Sequence, residues 1–167
     1  MKNETVVRLF DLYVDDVYRL ALSYVGIKQE AEDITQTVFM KLIAKNIPLK
    51  QESEKAYLLK MTVNLCKDYL KSSQRKQFVS FDDLENVVSD EYETDYDEKE
   101  IYSCLMTLPE KYRVPLYLYY YEGYSYREIA KILKIGESAA AMRISRAKKE
   151  LKSNWRIKNG KDDKENI

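Results

Sequence analysis

The chain has 167 residues, enough for one domain or two small ones, with 45% hydrophobic and 34% charged residues, which is typical of a folded protein. The 28 Lys and Arg balance the 28 Asp and Glu, and the scarcity of Gly and Pro favours helices over sheets. The absence of His and the isolation of Cys66 and Cys104 argue against most enzymes and against a zinc site or disulfide framework, so no metal or cofactor is predicted.

The N-terminal sequence MKNETVVRLF lacks the apolar core of a signal peptide. In addition, no apolar run approaches the length needed to cross a bilayer. Both features predict a cytoplasmic protein.

Residues 1–77 are predicted to form a three-helix bundle. The first helix, Glu4–Val25, carries apolar residues at spacings of three and four, including Phe10, and Gly26 ends it. The second covers Lys28–Ala44, and the third covers Glu54–Ser73 after a polar loop.

Residues 78–100 differ in composition from the rest of the chain. Between Phe81 and Glu100 many Asp and Glu residues are opposed by Lys99 alone, and helical periodicity is absent. This pattern predicts a flexible acidic linker between two domains.

Residues 101–158 are predicted to form a second helical domain, followed by a disordered tail at 159–167. Pro109 suits the first turn of a helix, and Pro115 suits the start of the next one. Two further helices complete a four-helix domain, so the whole chain is predicted to be all-α, with two small helical domains.

The last two helices, in the segment Gly123–Leu151, have the pattern of a helix-turn-helix. Ser125 and Glu128 form a capping box, and Gly136 is predicted to adopt left-handed backbone angles in the turn. The second helix leaves a row of cations for solvent or an anion: Arg143, Arg146, Lys148, Lys149 and Lys152. A surface helix with solvated charges would explain the cations alone, but the capping box and turn favour DNA binding.

Three stretches resemble the bacterial sigma-70 family. RLALSYVGIKQEAEDITQTVFMKL is similar to the second conserved region, and AYLLKMTVNLCKDYLKSSQRK to the helix that meets the promoter −10 element. LPEKYRVPLYLYYYEGYSYREIAKILKIGESAAAMRISRAKKEL is similar to the fourth region. Because only an acidic segment lies between them, the layout resembles the extracytoplasmic-function (ECF) group.

The resemblance implies a role for three sets of residues. Core polymerase would be bound by Asp33, Gln36 and Phe39, although a core position for Phe39 and a plain surface position for the carboxylates remain open. The −10 element would be bound by Tyr57, Asn64, Lys67 and Lys71. The −35 element would be bound by Ala141, Met142, Arg143, Ser145, Arg146 and Lys149.

Ala141 and Met142 depart from the family pattern, in which Lys, Arg or Ser is usual at these positions. Recognition of the −35 element would then depend more on contacts with thymine methyl groups or on DNA shape. The departure leaves the −35 sequence open.

The implied function is a non-enzymatic specificity subunit that directs core polymerase to a restricted set of promoters. The implied partners are the clamp helices and flap of core RNA polymerase, promoter DNA, and an anti-sigma factor, with no small-molecule substrate. The protein would be nucleoid-associated when active, or held at the membrane by its anti-sigma factor. The alternatives are a stand-alone helix-turn-helix regulator that binds DNA without polymerase, a recombinase-like enzyme domain, and a helical protein-interaction module.

Overall fold

The computed structural model describes residues 3–46, 48–72 and 103–159, and every regular element in these ranges is helical. The chain divides into two compact units, Met1–Phe78 and Val79–Ile167. The predicted all-α class is therefore confirmed, whereas the predicted linker at 78–100 and residues 160–167 lie outside the described ranges. Within those ranges no helix combines the length and apolar character of a membrane span.

The first unit contains α1 (Asn3–Val25), α2 (Lys28–Lys45) and α3 (Glu54–Ser72), with a short 3₁₀ turn at Gln51–Ser53. As predicted, Gly26 ends α1: its φ is +70° and its N–H donates to the Leu22 carbonyl at 2.8 Å. All three helices pack against one another.

The core of the first unit is aliphatic, and burial of each large side chain contributes roughly 1.5–3 kcal/mol. Phe10 was expected in the buried face of α1, but 44% of it is exposed because it lies at the edge of that face. Its ring packs edge-to-face on Phe39, with the centroids 5.0 Å apart. The side chains that fill the centre are Leu9, Val17, Leu20, Val38, Leu42, Leu58 and Val63.

The second unit contains a helical segment at 103–106, then α4 (Glu110–Tyr120), α5 (Tyr126–Leu133) and α6 (Glu137–Asn159). The prediction that Pro115 starts a helix was wrong, because it lies inside α4. Proline in a helix costs about 3 kcal/mol. The adjacent Val114 and Leu116 are both buried, and their burial, at roughly 1.5–3 kcal/mol each, offsets this cost.

The turn between α5 and α6 also differs from expectation. The left-handed residue is Lys134, with φ 57° and ψ 47°, and not Gly136, whose carbonyl accepts the first hydrogen bond of α6 from Ala140 at 3.0 Å. The N–H of Lys134 still bonds to the Ala130 carbonyl, and its left-handed backbone then ends α5. The second helix of the motif, expected to end at Leu151, continues to Asn159.

Candidate nucleic-acid interface

A capped α5 and a buried face of α6 fix the orientation of the helix-turn-helix. The capping box is confirmed: Ser125 Oγ accepts from the Glu128 N–H at 3.2 Å, and the Ser125 N–H donates to Glu128 Oε2 at 2.9 Å. On α6, Ala140 and Ile144 are fully buried, as is Ala147 one turn later. Since α6 packs on both α4 and α5, only its opposite side is open to a ligand.

That open side of α6 is a row of exposed residues at spacings of four, three and four: Ser138, Met142, Ser145 and Lys149. Ala141 and Arg143 lie half-buried beside this row. Arg146 is exposed, and its Nε lies 3.5 Å from Glu150 Oε1. Because exposed ion pairs of this kind contribute little, Arg146 can exchange Glu150 for a phosphate or a base at small cost.

Lys148 was expected to face solvent or an anion, but it contacts the aromatic surface of α4. Its Nζ lies 5.3 Å from the centroid of Tyr120 and 5.5 Å from that of Tyr119. A hydrogen bond with Tyr120 raises the pKa of Lys148 above its ordinary value of 10.5, against the opposing effect of burial. Lys148 therefore fixes α6 against α4, a role that no local sequence pattern indicates.

On α3 the four predicted −10 residues lie on one side of the helix, at spacings of seven, three and four. Asn64 and Lys71 are exposed, and Tyr57 and Lys67 are half-buried. The opposite side of α3 is fixed in the core by fully buried residues: Leu58, Thr62 and Cys66.

Lys60 shares the outward side of α3, between Tyr57 and Asn64, and it was missed in the sequence analysis. Its position seven residues before Lys67 was the available signal. This outward side of α3, the α3 stripe, presents three cations alongside an aromatic ring and an amide, a combination suited to a nucleic-acid strand. Its members are Tyr57, Lys60, Asn64, Lys67 and Lys71.

On α2, Asp33 and Gln36 are exposed, whereas Phe39 is only 5% exposed and packs on Phe10. Beside them, Met40 is 66% exposed and Ile43 is 55% exposed. Neither was predicted as a binding residue, although both lie outside the buried stripe of α2. Large exposed apolar side chains next to polar ones are typical of a surface that contacts another protein.

Two family models match the chain, one in each of its two compact units. Residues 9–76 match the model for sigma-70 region 2, and residues 98–151 match the model for sigma-70 region 4. The chain is 28% identical to the ECF RNA polymerase sigma factor SigM of Bacillus subtilis (strain 168), over 89% of this chain and 94% of the relative. It is 30% identical to the RNA polymerase sigma factor SigV of the same organism, over 80% of this chain and 81% of the relative.

A solved structure has a similar fold. It is the sigma factor RpoE in its co-crystal structure with the anti-sigma factor NepR from Bartonella quintana, with a TM-score of 0.66. The match covers 89% of this chain and 94% of that chain at 22% sequence identity.

Proposed function

Since the chain belongs to the sigma-70 family of RNA polymerase sigma factors, in its extracytoplasmic-function group, we propose that the surfaces described above are its promoter and polymerase contacts. As a sigma factor, the protein directs core RNA polymerase to specific promoters and supports initiation, while the chemistry of RNA synthesis belongs to the core enzyme. The observation that carries the proposal is the open side of α6, because its buried side leaves one orientation for entry into a major groove.

We assign the −10 element to the α3 stripe. Asn64 offers an amide that can hydrogen-bond a base edge, and Tyr57 offers an aromatic ring on which a base can stack. Lys60, Lys67 and Lys71 follow the same side and would neutralise phosphates of the separated strand. Extraction of a base from the duplex costs a few kcal/mol, roughly, so a stacking surface next to a polar group favours the open state.

We assign the −35 element to the α6 row. Arg146 and Lys149 are exposed and suit phosphate or guanine contacts, and Met142 and Ser145 lie on the same side. Arg143 and Ala141 flank the row and remain proposed contacts at its edges. We propose that residues 101–158 act as this −35 domain, residues 1–77 as the −10 and polymerase domain, and residues 78–100 as the tether.

We assign the clamp helices of core polymerase to the exposed surface of α2. Asp33 and Gln36 supply polar contacts there, and Met40 and Ile43 supply apolar ones. Phe39 stays a proposed part of this surface, but its low exposure and its packing on Phe10 favour support from beneath over direct contact. The flap of the polymerase is the proposed partner of the second unit.

We also propose an anti-sigma factor as the regulator, since the neighbouring structure is a sigma factor bound to such a protein. Masking of either DNA-binding surface would be sufficient to prevent initiation. Because core polymerase and promoter DNA are its partners, the protein is proposed to work in the cytoplasm and to associate with the nucleoid when active.

Transcription from a template library tests the function directly. Purified core polymerase plus this chain should start transcripts at discrete sites that share two upstream elements, whereas core polymerase alone should not. Failure to direct initiation from any template would overturn the assignment of promoter contacts.

The α2 surface is tested by Asp33→Ala combined with Gln36→Ala. We expect the affinity for core polymerase to fall about tenfold or more, equivalent to ~1.4 kcal/mol, because two polar contacts are lost at the interface. Affinity is measured by titration of labelled chain with core enzyme. A matched control is Gln51→Ala with Glu52→Ala, which removes the same kinds of side chain from an exposed turn of the same unit. Equal affinities for the two double variants would contradict the assignment.

A further inference from the structure

Met142 is the most exposed large apolar side chain of the described residues, at 72%. It lies in the second turn of α6, the part of a helix-turn-helix recognition helix that reaches base edges. A thioether donates no hydrogen bond and is a weak acceptor, so its favourable contacts are apolar. An exposed apolar side chain at this position contributes most to the binding free energy when it packs against an apolar group on the DNA.

The surroundings of Met142 strengthen this argument. Its neighbours along the exposed row are two hydroxyl side chains, Ser138 and Ser145. The nearest cations lie to one side: Arg143 is half-buried, and Arg146 is 3.5 Å from Glu150. The middle of the row therefore presents a flexible thioether between hydroxyls, whereas Arg146, whose guanidinium group can pair with a guanine, lies beside the row.

Among the base edges of the major groove, thymine alone carries an apolar group, its C5-methyl. We propose that Met142 contacts the C5-methyl group of a thymine in the −35 element, and that this contact helps to select the promoter. The inference rests on the proposed function and deepens it by naming a specificity residue and the base that it selects.

The expected effect follows from the size of one methyl group. Burial of a single CH₂ or CH₃ group against an apolar side chain changes an equilibrium constant by about fourfold. This is smaller than the effect of a bidentate arginine–guanine pair. Promoter selection at this position is therefore graded rather than all-or-none.

Deoxyuridine substitution isolates this contact, because it removes the methyl group and leaves every hydrogen-bonding group of the base pair in place. Templates that the holoenzyme transcribes are synthesised with one thymine of the −35 element, on either strand, replaced at a time. With the wild-type chain we expect one position at which initiation falls about fourfold. With Met142→Ala, which keeps a strong helix former at an exposed site, that position should lose its sensitivity.

Leu12→Ala is the control, since it removes a comparably exposed apolar side chain from the other unit and should retain the fourfold sensitivity. The inference is overturned if no substituted thymine affects the wild-type holoenzyme, or if Met142→Ala keeps the full effect. Both outcomes leave initiation itself intact and so spare the proposed function. An absence of initiation from every unsubstituted template would instead overturn the proposed function, and this contact with it.

Discussion

At the scale of single residues, two glycines of the second unit are alike in the free space around them and differ in backbone conformation. A Cβ built on Gly123 or on Gly136 would meet no heavy atom within 4 Å. Gly123 has φ +71°, whereas Gly136 is outside the left-handed region and directly precedes α6. A side chain at Gly123 is therefore unfavourable only because of backbone strain, and a side chain at Gly136 causes neither strain nor a steric clash.

Substitution of each glycine by serine should change stability in opposite directions. Gly136→Ser provides an N-cap hydroxyl for α6 and reduces the entropy of the unfolded chain, so the free energy of unfolding should rise by roughly 0.5–1 kcal/mol. Gly123→Ser places a Cβ on a residue in a left-handed conformation and should lower the free energy of unfolding by about 1 kcal/mol. Urea unfolding followed by the fluorescence of Trp155, the single tryptophan, measures both. A change of the same sign in both variants would contradict the backbone argument.

At the scale of elements, the helices with clear periodicity and recognisable ends could be predicted from the sequence. α1 ends at Gly26, and α5 starts at the Ser125 capping box, because both signals act within a few residues. Pro115 and Gly136 misled the prediction because local preference was overridden by packing of α4 and by Lys134 in the turn.

The candidate sites, too, could be predicted from the sequence only where local helical spacing determines them. The predicted residues on α3 lie on one side because helical spacing alone determines this arrangement. In contrast, the exposure of Met40 and the burial of Phe39 depend on which side of α2 the other helices cover. The contact of Lys148 with Tyr119 and Tyr120 joins residues on different helices, so no local pattern could reveal it.

The contact of Lys148 with Tyr119 and Tyr120 is expected to stabilise the packing of α6 on α4. Lys148→Met keeps the apolar stem and removes the ammonium group from the faces of Tyr119 and Tyr120, so the free energy of unfolding should fall by about 0.5–1 kcal/mol. Lys149→Met is the control, because it removes the same charge from the next residue, which is exposed. Equal losses in the two variants would show that the aromatic contact contributes nothing.

The pH dependence of that difference has a definite sign. The pKa of Lys148 is raised in the folded protein, mainly by its hydrogen bond with Tyr120, so its charged form stabilises the fold at any pH below 10.5. The deficit of Lys148→Met relative to wild type should be the same at pH 7 and pH 9, and should shrink as the pH rises past 10.5. A deficit that disappears between pH 7 and pH 9 would contradict this origin.

At the scale of the whole molecule, charge is balanced but unevenly distributed. The chain carries 28 basic and 28 acidic residues, with cations on α3 and α6 and acidic residues concentrated between Phe81 and Glu100. Non-specific affinity for DNA depends on net positive charge near the phosphates, so a neutral chain gains little of it. Attachment to polymerase would instead hold both proposed DNA-binding surfaces near one promoter and raise their effective concentration.

The chain alone should therefore bind promoter DNA weakly, with a Kd of about 10⁻⁶ M or higher at 0.15 M salt, as for non-specific binding. Addition of core polymerase should produce a tight complex that a scrambled −35 element weakens, because the two surfaces then bind together. Gel-shift titrations with and without core enzyme measure both affinities. A stand-alone regulator would instead bind the intact promoter at roughly 10⁻⁸ M or below without polymerase, and discriminate against the scrambled sequence. That result would assign specificity to the free protein and would remove the need for the proposed polymerase surface on α2.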